Sequence, residues 1–214
     1  MQPSSRQIAA GKAAVFALAL LPFGWLATGA LFFPDWLTAN PGEFIDRETG
    51  RWILRFLLIT LAVTPLRLAT GWNWLLRFRR MLGLFAFFYG VMHLSSYVTF
   101  RRVFDVEEIV RDIAERPFMA VGFAALVLMI PLAATSTNAM VRRLGARRWQ
   151  LLHRLVYVIA PLGMVHYWFM VKRDITQPLI YAAILAVLLG FRLAAKVRDA
   201  QRKAAPSRMI GKSA

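Results

Sequence analysis

Apolar positions along this chain fall into long unbroken blocks separated by short polar stretches, with no run of the period-2 alternation that marks a strand. Six blocks reach or approach the roughly 20 apolar residues that a helix rising ~1.5 Å per residue needs to cross a bilayer's hydrocarbon. They lie near 13–33, 52–69, 81–100, 118–134, 150–170 and 178–195. The first, "AAVFALALLPFGWLATGALFF", is longer than a signal-peptide apolar region and lacks a small-residue cleavage pattern before "PDW", so it reads as a retained helix. Pro34, Pro41 and Gly42 mark the first break and Gly71 the second, while Pro117 and Pro178 open the fourth and sixth blocks. Between the third and fourth blocks, "RRVFDVEEIVRDIAERP" repeats Val103, Val106, Ile109, Val110 and Ile113 near helical spacing amid charges, predicting an amphipathic helix on the membrane surface. The expected fold class is an all-α integral membrane bundle of six transmembrane helices over 13–195, with an N-terminal segment 1–12 and a basic tail 196–214.

Composition agrees with a membrane solvent. Hydrophobic residues make up 58% of 214, aromatics 13%, and mean hydropathy is +0.51, more apolar surface than one soluble core of this size hides. A formal charge of +16 suggests nucleic acid in a soluble domain, but here the basic residues sit in short runs between apolar blocks, which orients a polytopic protein instead. Alternate connections divide the 27 Lys and Arg unequally: 17 fall with the N-terminus, the 70s and 140s connections and the tail, and 8 on the opposite side. Both termini are therefore expected in the cytoplasm. Ten of the 11 acidic residues, all but Asp199, lie on the opposite face. The Trp residues mostly sit at block ends, as in an interfacial belt. With no cysteine, disulfides, thiolate-ligated iron–sulfur clusters, covalent heme attachment and a cysteine nucleophile are excluded.

All three histidines, His93, His153 and His166, fall inside apolar blocks. A lone histidine in a membrane helix is often an interhelical hydrogen-bonding group. Counting from the cytoplasmic edge, however, His93 and His166 come level in the outer half of the bilayer, and two imidazoles from different helices at one height form an axial pair for heme iron. His153 lies near the inner edge. Its spacing of 13 from His166 leaves the two about 140° out of alignment on an ideal helix, although Pro161 and Gly163 lie between them. Thirteen residues before His93 stands Arg80, not a second histidine. His153 thus binds a second heme with another sixth ligand, assists a cytoplasmic-side cofactor, or is structural. Arg101 and Arg102 are candidates for heme propionates and Arg154 for a flavin phosphate or a propionate, against the plainer reading of side chains snorkelling to the interface.

The stretches "NPGEFIDRETGRWILRFLLITLAVTPLR", "RRMLGLFAFFYGVMHLSSY" and "RRWQLLHRLVYVIAPLGMVHYWFMVKRD" resemble the heme-binding membrane subunits of bacterial protein-methionine-sulfoxide reductase systems (the MsrQ/YedZ family), within the ferric reductase-like transmembrane superfamily. The resemblance covers nearly the whole chain. It implies a multi-pass protein of the bacterial inner membrane that binds heme b and FMN, with His93, His153 and His166 as iron ligands. It also implies electron delivery to a periplasmic molybdopterin-containing catalytic subunit that repairs oxidised methionines. The flavin site does not announce itself in the sequence. Without a G-x-G-x-x-G fingerprint or room for a dinucleotide-binding domain, electrons are expected from a separate cytoplasmic flavin reductase or from quinol. Two other readings use the same helices: a stand-alone ferric or cupric reductase, and a non-redox transporter with a histidine proton relay. The segments 34–51, 101–117 and 171–177 are expected to form the face that docks the periplasmic partner.

Overall fold

The computed structural model describes residues 2–171 and 173–204; Lys172, and residues 205–214 with Arg208 and Lys212 of the basic tail, lie outside the described residues. The described chain runs through nine α-helices with no strand among them: α1 (Ser5–Phe32), α2 (Pro41–Thr70), α3 (Leu76–Ser96), α4 (Val106–Glu115), α5 (Pro117–Ala134), α6 (Asn138–Leu144), α7 (Ala146–His153), α8 (Val156–Met170) and α9 (Thr176–Ala204). Five are long and apolar enough to cross a membrane: α1, α2, α3 with its extension to Arg101, α5, and α9.

Helix ends follow from local chemistry. Ser4 and Gln7 form a reciprocal capping box that starts α1, so helix already covers most of the segment 1–12. Asn40 accepts from the Glu43 N–H at 3.1 Å, and Pro41 occupies the first helical position, where its missing N–H is not needed. The expected second span began at 52, but α2 starts eleven residues earlier. Charges within this first part of α2 are paired along and across helices: Glu48 with Arg51 at 2.6 Å, and Asp46 with Arg101 at 3.1 Å. Hydropathy alone does not register such pairing.

The block 150–170 is the main departure from the sequence reading. It is divided: α7 ends at His153, a tight turn follows through Arg154 and Leu155, and α8 has 15 residues, about 22 Å of helix. The turn is built on short-range bonds, Tyr157 N–H to the Arg154 carbonyl and Val158 N–H to the Leu155 carbonyl, each 2.9 Å. It lies just under two turns before Pro161, which has no N–H for the Tyr157 carbonyl and whose ring crowds it. His153 and His166 therefore do not share one continuous helix.

α2 lies at the centre, packed along α3, α8 and α9, while α5 packs along α8. The buried interior is aromatic, with Phe56, Phe85 and Tyr89 among its members. Tyr89, fully buried, donates its hydroxyl to the Ala19 carbonyl at 2.8 Å and accepts from the Phe23 N–H at 3.1 Å, across the position where Pro22 interrupts α1. The outward-facing helix surfaces carry large apolar side chains such as Leu18, Leu31, Val187 and Leu193, all exposed, as a lipid solvent allows.

After α3 the chain makes a π-helical turn, Tyr97–Arg101, and reverses into α4 through Val103 and Phe104, both in the left-handed region at φ 47° and 63°. Helix α4 is the amphipathic element expected from the sequence. It is fastened to the turn by Asp112, which bonds Tyr97, Arg102 and Arg116, with Arg102 also pairing Glu108.

Candidate bis-imidazole site

His93 projects from the last turn of α3 and His166 from α8, and their ring centroids are 6.2 Å apart with planes inclined by 74°. Each ring is fixed through Nδ1. That of His93 bonds the Asp46 carbonyl at 2.9 Å, with the Asp46 carboxylate (3.2 Å) and Thr49 hydroxyl (3.4 Å) nearby. That of His166 bonds the Phe118 carbonyl at 2.7 Å. A carbonyl accepts but does not donate, so each Nδ1 carries a proton, and in the neutral ring Nε2 then keeps its lone pair, the arrangement a metal-ligating imidazole takes.

The spacing fits heme. A metal–imidazole bond of about 2 Å, plus about 1 Å from ring nitrogen to ring centre, places two imidazoles on opposite sides of one metal roughly 6 Å apart, centre to centre. Among the described residues no group of three His, Asp or Glu side chains gathers to hold a bare metal ion. A pair of neutral imidazoles suits a metal whose remaining ligands arrive with it, as a porphyrin supplies them.

Two glycines make the site possible. A Cβ on Gly50 of α2 would stand 3.2 Å from His93 Cε1, and one on Gly122 of α5 would stand 2.6 Å from His166 Nδ1. Neither glycine, nor Asp46, stands out in the sequence reading. The available signal was weak: small residues are enriched wherever membrane helices approach closely.

His153 is elsewhere. It precedes α8, whose stretch from Val156 to His166 alone rises about 15 Å. Its Nε2 is 3.1 Å from the Thr135 hydroxyl, and its ring stacks on Trp149 at 3.9 Å; no second imidazole faces it among the described residues. Together with Arg79, Arg80 and Trp149 it borders a cavity of about 250 Å³ between α2, α3 and α5, and Arg79, Arg154 and Tyr157 line an adjoining one of about 260 Å³. This end is basic and aromatic: Arg80 bonds Asn138 at 2.6 Å, and Arg192 bonds Tyr157 at 2.7 Å and the Leu61 carbonyl at 2.6 Å. Arg101 and Arg102, the propionate candidates, are both engaged by carboxylates, Arg101 with Asp46 and Arg102 with Asp112 and Glu108.

Residues 49–164 match the family described as the ferric reductase like transmembrane component. Over most of its length the chain is similar to curated proteins named protein-methionine-sulfoxide reductase heme-binding subunit MsrQ. The protein from Herminiimonas arsenicoxydans is 57% identical over 89% of this chain and 88% of its own length. That from Ralstonia nicotianae is 57% identical over 88% and 87%, and that from Polaromonas naphthalenivorans 52% identical over 94% and 92%. No solved structure matches. The matched region runs from Thr49, beside His93, to Met164, two residues short of His166, and on these similarities the chain belongs to the MsrQ family of ferric reductase-like transmembrane proteins.

Proposed function

We propose that this chain is a b-type heme electron-transfer subunit of the bacterial inner membrane, carrying electrons from a cytoplasmic donor or quinol to a periplasmic molybdopterin-containing methionine sulfoxide reductase. The observation that carries the reading is the pair His93 and His166, 6.2 Å apart with both Nδ1 atoms bonded to carbonyls. Heme held between His93 and His166 would supply a one-electron couple, a chemistry suited to outer-sphere transfer rather than to binding oxygen or substrate. The chain's own contribution is to hold the two rings from separate helices, set their tautomers and exclude water with apolar helix surfaces. α8 completes a sixth crossing alongside α5, and the basic connections place both termini in the cytoplasm.

The other end supports electron entry. The cavities beside His153 combine cationic side chains with stacked aromatics, Arg79, Arg80, Arg154, Trp149 and Tyr157, a chemistry suited to an anionic planar cofactor such as FMN. In this reading His153 serves that inner site, and heme b and FMN lie in sequence along the bundle.

Absorption spectra of purified protein test the reading. A Soret band that shifts on dithionite reduction is expected, and His93→Ala and His166→Ala should each remove most of it while the protein still inserts in the membrane. An unchanged low-spin spectrum in either variant removes these residues as the axial pair.

A further inference from the structure

We propose that Asp46 is a positioning residue for the outer heme: its carboxylate, acting through His93, strengthens that ligand's electron donation and lowers the heme's midpoint potential. The inference rests on His93 and His166 being the axial pair.

The two imidazoles have unequal backing. Among the described residues His166 Nδ1 meets only the neutral Phe118 carbonyl, at 2.7 Å. His93 Nδ1 meets the Asp46 carbonyl at 2.9 Å and, in addition, the Asp46 carboxylate oxygen Oδ1 at 3.2 Å. A carboxylate behind a ligating histidine draws the Nδ1 proton toward itself and raises the basicity of Nε2. Its negative charge also favours the ferric state, because ferric heme carries one more positive charge than ferrous heme, and that attraction is large where water is excluded. Asp46 is only 5% exposed.

The surroundings hold the carboxylate in place. Ser96 donates to Oδ1 at 3.0 Å and Arg101 Nε to Oδ2 at 3.1 Å, so Oδ1 stays turned toward the imidazole while Arg101 engages the far oxygen. Arg101 is the counterweight, a positive charge that partly cancels the field of Asp46. One residue thus supplies two separable functions. The main-chain carbonyl of Asp46 orients the His93 ring, and the side chain sets its electron richness. Replacing the side chain with the isosteric amide leaves the orienting carbonyl where it is.

Potentiometric titration of the purified heme protein, with Asp46→Asn and Arg101→Gln beside the parent, tests this. Asp46→Asn should raise the midpoint potential, shifting the ferric–ferrous equilibrium constant about tenfold, about 59 mV for one electron. Arg101→Gln should lower the potential. Opposite signs are the signature, because loss of packing or entry of water would move both variants the same way; shifts of equal sign, or no shift in Asp46→Asn, overturn the proposal. Should Asp46→Asn not retain heme, Asp46→Glu decides: heme kept at a potential close to the parent's supports the role, and loss of heme there too overturns it. An intact low-spin spectrum in His93→Ala is a separate result, which would sink the axial assignment itself.

Discussion

A methyl group on Gly122 would lie 2.6 Å from Nδ1 of His166, closer than side-chain carbons approach any neighbour, so the His166 imidazole rests directly on the α5 backbone. Phe118, one turn earlier on α5, supplies the carbonyl that the same nitrogen bonds. A single helical turn thus sets both the position and the tautomer of the His166 imidazole.

Gly122→Ala should therefore displace the ring or separate α5 from α8. Overpacking of this kind costs about 1–3 kcal/mol, which predicts a roughly tenfold or greater loss of heme retention, read from the Soret-to-protein absorbance ratio of the purified protein. Gly50→Ala should do less, because its added carbon would meet His93 Cε1 at 3.2 Å, a distance that a shift of a few tenths of an ångström relieves. Equal effects from the two would show that the glycines act only through helix packing.

His153→Ala should leave the low-spin signal of the outer heme intact. The side chain contacts Thr135 and Trp149 and lies before the start of α8, which carries His166. Reduction of the heme by a cytoplasmic donor or quinol should slow. Loss of all heme at normal protein levels would contradict the separation of the two ends, and anaerobic stopped-flow reduction together with a full spectrum reads both quantities.

The fastening of α4 should respond to acid in a definite direction. Burial opposes ionisation of Asp112, but hydrogen bonds from Tyr97 and Arg102 and the charges of Arg102 and Arg116 outweigh it and hold its pKa below the ordinary carboxylate value. The Arg102 guanidinium, bonded first to the Tyr97 hydroxyl and then to the acidic side chains, is held above its ordinary value and stays charged. A depressed carboxylate contributes fully above its unfolded pKa, about 4, and loses that contribution as pH falls through the lower folded value. Amide-exchange protection of Val106–Glu115, corrected for intrinsic rates, should hold from neutral pH down to about 5 and decline below about 4. Asp112→Asn should remove it at every pH, since breaking a buried pair costs about 3–5 kcal/mol; protection unchanged in that variant would mean that the apolar face alone holds α4.

Charges around α4 divide into those that fasten it and those turned to its outer face. Arg102, in the turn before α4, pairs with both Glu108 and Asp112, whereas the exposed Glu107, Arg111 and Glu115 take no part in that fastening, with Glu107 and Arg111 3.0 Å apart. If this end is the exit face, reversing Glu107, Arg111 and Glu115 should slow oxidation of the reduced heme by the proposed catalytic partner several-fold at low salt and less at high salt. Heme spectra should not change. Stopped-flow rates unaffected by these reversals, and by reversals near Asp35 in the first outer connection, would place the exit face elsewhere.

The sequence by itself determined the solvent and the inventory. Uninterrupted apolar blocks must be helical in lipid, where every backbone group needs a partner within its own segment. Prolines and capping residues set most helix starts, and three histidines without any cysteine restricted the redox chemistry. That His93 and His166 stand at one height was also legible, because depth along a helix is simply residue count times rise. Which groups surround them was not. Asp46 and Gly50 lie in a stretch that reads as a polar connection; the Asn40 cap and Pro41 start it as helix, and it turns inward where Asp46 meets Ser96, His93 and Arg101 on α3 and its π-helical extension. Gly122 looks like any small residue in an apolar run until α8 lays an imidazole against it. The break after His153 likewise depends on how the chain before Pro161 closes its backbone bonds. Period and hydropathy report a residue's relation to its own helix and to solvent, while azimuth and partners between helices arise from packing, so the orientation and unequal backing of the two imidazoles come from the folded bundle.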